Sequence, residues 1–178
     1  ELPRDRFLDF ALATTMDELA DVFMVALNQG QWKPDSPSRE NQLEFVLTNI
    51  DSGRAASYLS KRLAKESIPA DGSGPWIELI AQAGGKIELT KLFEQIMSNS
   101  FVGDTQVRAI DALATAQRVR KLKPAGDLSR IRTFLTEKNL NIQTAVVRLI
   151  GAWKLNVCVT QLADLVESST DSAVWDAG

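Results

Sequence analysis

Apolar residues along this chain return at intervals of three and four, the spacing that places them on one side of an α-helix. Phe7, Phe10, Ala11 and Leu12 make a first stripe, interrupted by Thr14-Thr15. Thr15-Met16-Asp17-Glu18 reads as a capping box, with the threonine accepting first-turn amides and Glu18 reaching back. From it a second helix is expected over Leu19, Val22, Phe23, Val25, Ala26 and Leu27, closed by Gly30. The two segments predict an antiparallel helix pair. Residues 31–38, with Pro34 and Pro37, read as a loop. Leu43, Val46, Leu47 and Ile50 then form a helix that Asp51-Ser52-Gly53 breaks. Ser52 is a fair cap for the next, which carries Ala55, Ala56, Leu59 and Leu63.

Residues 68–74 are the most linker-like, with Pro69, Gly72 and Gly74 close together, and Pro75 sits where a helix starts without needing its amide. A third pair spans Gly84-Gly85: Trp76, Ile77, Leu79, Ile80 and Ala83, then Ile87, Leu89, Leu92, Phe93, Ile96 and Met97. In the fourth, Asp104 caps a helix with Val107, Ile110, Ala112, Leu113 and Val119. It stops at Lys123-Pro124-Ala125-Gly126, and Asp127 caps Leu128, Ile131, Phe134 and Leu135. The fifth joins Ile142, Ala145, Val146, Leu149 and Ile150, up to Gly151, to Val157, Val159, Leu162, Leu165 and Val166. Asp171 reads as the cap of an eleventh helix. Its Val174 and Trp175 suit contact with a further helix, so the chain is expected to continue past Gly178. The missing initiating Met points the same way, to a piece of a longer protein. No segment alternates apolar and polar residues between hairpin turns, and the fold class is all-α.

Two anchors turn the pairs into repeats. Ala109, Ile110 and Leu113 recur 36 positions on as Ala145, Val146 and Leu149, and Ile131 and Leu135 are answered 31 positions on by Leu162 and Val166. A period in the thirties with two helices per unit is the pattern of a helical solenoid, in which stacked pairs share one continuous core. Asp104-Thr105-Gln106-Val107-Arg108 resembles the Asp-x-x-Val-Arg opening of HEAT repeats. Ile142-Gln143 and Val174-Trp175 hold the apolar position without the arginine. The architecture expected is a HEAT/armadillo-like α-α superhelix of about five antiparallel pairs, one domain over residues 1–178. A compact helical bundle is the alternative.

Composition narrows the chemistry. The chain has 178 residues, 44% hydrophobic and 24% charged, with a net charge of -3, which argues against a strongly basic nucleic-acid or membrane binder. It holds no histidine, and Cys158 is the only cysteine. Ser-His-Asp and Cys-His nucleophile systems are therefore excluded, as are zinc sites built on His or paired Cys, and any disulfide within the chain. No window approaches the roughly 18 consecutive apolar residues of a membrane span.

Three stretches carry a more specific likeness: Arg6-Phe7-Leu8-Asp9-Phe10-Ala11-Leu12, then Leu19 through Gly30, and Lys121-Leu122-Lys123-Pro124-Ala125-Gly126-Asp127-Leu128-Ser129. Together they resemble the helical-repeat segment of large bacterial PVC-type haem-binding proteins. Those proteins resemble membrane-bound sugar dehydrogenases, in which a β-propeller is followed by HEAT-like repeats and a c-type cytochrome domain. The resemblance implies a connecting module between an oxidoreductase-like domain and an electron-transfer domain, exported to the periplasm. It implies no activity for these residues, because the haem motif Cys-x-x-Cys-His has no counterpart where Cys158 stands alone.

Among candidate sites, the basic run Arg118, Arg120, Lys121, Lys123, Arg130 and Arg132, with Asp127 its only acid, is the clearest charge cluster. It could grip phosphate, an acidic partner or haem propionates, since arginine forks bind oxyanions. It could equally be a helix end whose cations complement the macrodipole, and this is the reading favoured here. Arg118, Arg120, Lys121 and Lys123 are the candidate interaction surface. Asp17, Glu18 and Asp21 suggest paired carboxylates, but a first-turn position explains them through the helix dipole. Gly84-Gly85-Lys86 fails as a phosphate loop, since Ile80 and Ile87 stand where glycine and Ser/Thr are needed. Trp32, Trp76, Trp153 and Trp175 are spread along the chain as packing residues, and Cys158 reads as a small buried apolar residue. The expected function is a scaffold or interdomain module without catalysis or cofactor. Its partners are expected to be other domains of the same chain or a protein, and no nucleic acid. The alternative is a HEAT-fold nucleic-acid enzyme resembling DNA glycosylases, and a free-standing adaptor is a third option.

Overall fold

Every residue described in the computed structural model, 6–50 and 52–168, lies in a helix, a turn or a connection, and no strand occurs among them. The helices are α1 (Arg6–Asn28), α2 (Pro37–Asn49), α3 (Ser52–Leu63), α4 (Trp76–Ala83), α5 (Lys86–Met97), α6 (Thr105–Arg120), α7 (Leu140–Trp153) and α8 (Val159–Ser168). A 3-10 segment, Leu128–Thr136, separates α6 from α7, and a 3-10 turn, Asn156–Cys158, precedes α8. Asp171, Val174 and Trp175, with the eleventh helix expected there, lie outside the described residues.

Each element packs mainly on those one and two places along the chain. α2 touches α4, α4 touches α6 and α6 touches α7, while α1 touches α3 and α3 touches α5. The connections between these two series are made by successive neighbours such as α3 with α4 and α5 with α6. The core runs through all of them. Leu43, Leu59, Ile80, Phe93 and Trp153 are all but fully buried, and each large aliphatic side chain removed from water contributes about 1.5–3 kcal/mol. Ala109, Ile110 and Leu113 are buried on α6 and Ala145, Val146 and Leu149 on α7, the two helices in closest mutual contact.

Several expected boundaries move, each for a local reason. The first predicted pair is a single helix, because Thr14 and Thr15 donate their hydroxyls to the carbonyls of Phe10 (2.9 Å) and Ala11 (2.8 Å) inside α1. Satisfied by back-bonding, the threonines continue the helix instead of capping a new one, and no Gly or Pro intervenes before Gly30. Pro37 belongs to α2, not to the preceding loop. It is the first helical residue, with Ser36 as N-cap accepting the amide of Arg39 at 3.4 Å. Asp104 stands at the N-cap of α6 but makes no side-chain cap bond. Its backbone is already helical (φ -73°, ψ -8°), whereas a capping side chain needs an extended one. Asp127 does cap, accepting from the amide of Ser129 at 3.0 Å. The helix it opens is 3-10, matching the three-residue spacing of Leu128, Ile131 and Phe134. α7 runs past Gly151 to Trp153, where Lys154 turns into the left-handed region (φ 56°). Val157 and Val159 lie exposed on either side of the buried Cys158, so the start of the apolar stripe expected there faces outward, while Leu162 is half-buried against the core.

Candidate functional site

The basic turn is taken apart by the way α6 ends. Lys121 adopts a left-handed backbone (φ 58°), and its amide donates to the carbonyl of Gln117 at 3.1 Å. The chain reverses there, and the cations on either side point to different places. Arg120 donates to the carbonyl of Gly84, the residue that closes α4. Lys123 donates to the carbonyl of Trp153, the last residue of α7. Lys91 on α5 does the same for Leu63, the last residue of α3. Three times, then, a basic side chain satisfies an orphan carbonyl at the carboxyl end of a neighbouring helix, where the macrodipole is negative. Lys121 serves its own helix, reaching the carbonyl of Arg118 at 3.0 Å. Burial pushes the Arg120 guanidinium below its ordinary pKa, and its Nε has no hydrogen-bond partner.

Arg130 is also committed. Its guanidinium meets both oxygens of Glu94, at 2.8 and 3.1 Å, and lies 5.9 Å from the ring centroid of Phe93. Asp127 is held below the usual carboxylate range by the Ser129 hydroxyl at 2.6 Å and the Ser129 amide, with smaller help from Arg132 and Arg130.

Arg118 is the exception. It is exposed, its guanidinium donates to Thr115 Oγ1 at 3.4 Å, and it lines a groove of about 570 Å³ between α6 and α7. Arg148, Asp111, Ala114, Gly151 and Ala152 also line it. Two smaller grooves adjoin it, one sharing Asp111 and lined by Glu78 and Arg108, the other sharing Arg148 and lined by Asp104 and Arg108. Arg108 is paired across them with Glu78 at 2.7 Å. The structure thus brings Arg118 to a site with Arg148, and assigns Arg120, Lys121 and Lys123 to helix ends. Arg148 was invisible as a site residue because it stands alone among apolar neighbours on α7. The 36-residue offset gave no signal either, since it places Arg148 where α6 has the buried Ala112.

The remaining candidates lie apart from this groove. Asp17 and Asp21 sit in the middle of α1, not in a first turn, and hold Arg54 of α3 at 3.0 and 2.9 Å. Their role is therefore to join helices, which the dipole reading missed because α1 starts earlier than expected. Glu18 is exposed and does not join them. Gly84-Gly85 links α4 to α5. A Cβ at Gly84 would lie 2.7 Å from the carbonyl oxygen of Ile80, and Glu88 folds back to accept the Gly85 amide at 2.8 Å. The tryptophans do not converge. Trp32 meets Phe23 edge-on at 5.1 Å, Trp76 carries Arg62 over its ring at 3.8 Å, and Trp153 meets Phe93 at 5.8 Å. Trp175 lies outside the described residues. Cys158 is completely buried, and desolvation raises its thiol pKa. Among the described residues no cluster of three or more acidic or sulfur ligands could hold a metal ion, and no helix is long and apolar enough to cross a membrane. Comparison with protein-family models, with curated proteins and with solved structures finds no match to this chain.

Proposed function

We propose that this chain is a HEAT-like helical-repeat module that holds protein surfaces together and performs no catalysis of its own. The observation that carries the reading is the reach of its contacts. Polar links between elements recur at separations of 27 to 37 residues, from Gln95 with Ile68 to Arg54 with Asp17, and Arg108–Glu78, Arg120–Gly84 and Arg130–Glu94 fall between. Contacts that extend one unit along the chain are what stacked helix pairs make.

The outer side of α1 supports a role in joining surfaces. Phe7, Phe10 and Val22 are 85%, 74% and 69% exposed, and Met16, Leu19, Val22 and Phe23 line an apolar groove of about 340 Å³ with Val46. Large apolar side chains left in water along one helix suit a face that another domain or protein covers. The resemblance to PVC-type haem-binding proteins adds, as part of the same proposal, that the module bridges a dehydrogenase-like domain and a c-type cytochrome domain outside the cytoplasm. The dispersal of the basic turn onto helix ends weighs against the DNA glycosylase-like alternative.

Photo-crosslinking in the native cells tests the proposal. Benzoylphenylalanine at position 10 of the full-length protein is expected to give one discrete adduct, to another domain of the same polypeptide or to one defined protein. The same probe in place of the exposed Glu44 is expected to give none. Equal adducts at both positions, or none at position 10, overturn it. Small-angle scattering checks the architecture. A radius of gyration at the compact-globule value of about 16 Å refutes the superhelix, and a larger one supports it.

A further inference from the structure

We infer that the groove between α6 and α7 binds the carboxylate of an acidic side chain on an extended peptide, gripped by Arg118 and Arg148; this rests on reading the chain as a protein-interaction module. Most neighbouring arginines are already occupied: Arg120 by a helix-end carbonyl, Arg130 by Glu94, Arg108 by Glu78. Among the described residues the Arg148 side chain makes no hydrogen bond or ion pair, and the Arg118 guanidinium makes only its long contact with Thr115. Two unspent guanidinium groups, from different helices, thus face one groove. Such planar forks match a carboxylate with two parallel hydrogen bonds each.

The small residues fit a peptide backbone. Ala114, Gly151 and Ala152 line the groove without bulk, and a Cβ added at Gly151 would meet nothing within 4 Å, so the space beside that residue is open. The adjoining grooves share Arg148 and Asp111 with this one, extending it along α6 and toward α4. At about 3.3 Å per residue, an extended peptide of several residues lies along such a furrow. Charge selects the ligand. Asp111 in the groove leaves a local excess of one positive charge, and Asp104 and Glu78 line the adjoining grooves. A single carboxylate suits that balance. A nucleic-acid backbone, with a charge at every phosphate, would meet Asp111 and Asp104 as it ran on.

The test is a titration of the isotope-labelled full chain with the peptide acetyl-Ala-Gly-Glu-Ala-Gly-Ala-amide, read at the arginine Nε–Hε signals. Saturable shifts of Arg118 and Arg148 are expected, with no such shifts from the peptide carrying Gln in place of Glu. Arg118→Gln and Arg148→Gln are each expected to weaken binding about tenfold, as loss of one charged hydrogen-bonding group does. Both lie on exposed helix surface, and unchanged circular dichroism verifies that the variants fold. Equal shifts from the Gln peptide, or unchanged binding in Arg148→Gln, overturn the inference. So do equal shifts from inorganic phosphate at the same concentration, or tighter binding of duplex DNA at these signals. A discrete adduct at position 10 with no peptide binding would sink this inference alone and leave the interaction module standing.

Discussion

Replacing Arg120 by Met separates a helix-end role from a ligand-gripping one. The substitution keeps most of the apolar stem and removes the guanidinium that donates to the Gly84 carbonyl at the end of α4. A hydrogen bond from a charged donor contributes about 1.5–3 kcal/mol, including the favourable field of the α4 carboxyl end. Against this stands the cost of burying the charge with its Nε unpartnered, which Met relieves. The expected net loss is about 1–2 kcal/mol. For a chain of this size each kcal/mol shifts the melting midpoint by about 2–4 °C, so a fall of about 2–8 °C is expected. Arg118→Met, which removes a solvated group, is expected to stay within about 0.5 kcal/mol of wild type. Urea unfolding followed by circular dichroism and tryptophan fluorescence reads both, provided the denaturant slopes agree. The reasoning is refuted if Arg120→Met is as stable as wild type, or if Arg118→Met falls as far.

Met16→Pro distinguishes one long α1 from two helices. In a continuous helix it is expected to cost about 3 kcal/mol beyond Met16→Ala, whereas at the first position of a helix capped by Thr15 it would cost little. Asp127→Asn probes the cap of the 3-10 segment. The folded carboxyl is held below the ordinary value of about 3.9, so its stabilisation is present above that value and lost as pH falls through the lower folded one. The gap in urea midpoint between wild type and variant is expected to be constant from neutral pH to about pH 5 and to shrink below 4; an undiminished gap at pH 2 contradicts the assignment. Cys158, buried and raised in pKa, is expected to react with a disulfide reagent at least about 100-fold more slowly in the native protein than in guanidinium, and rapid native labelling would contradict its burial.

What the sequence made legible was set by local chemistry. Pro75 and Gly84-Gly85 bracket α4 and α5, and the stripes between them faced inward as read, apart from Ile87 at 71% exposed. α1 was misread because Thr15 and Glu18 carry a capping box's chemistry, while the same threonine hydroxyl is as well satisfied one turn back along a helix. The stretch 128–136 was read as α-helix because a spacing of three also occurs in an α-helical stripe, and only the backbone chooses between them. The basic turn was visible as charge but not as partners. Arg120, Lys121 and Lys123 are near neighbours in sequence, yet a left-handed residue sends them to three different helix ends. Arg148 met Arg118 only through contact between α6 and α7, which no short stretch of sequence encodes.

Polar links that reach only 27 to 37 residues along the chain also govern how it is made. Closing short loops costs little entropy and proceeds quickly, so each helix finds its lasting neighbours soon after synthesis, without waiting for distant sequence. Assembly during translation can therefore advance from one end to the other, with Phe93, whose ring contact with Trp153 spans 60 residues, the longest-delayed of these partnerships. A helix synthesised early spends only a brief interval with its apolar side bare, which shortens the time available for aggregation.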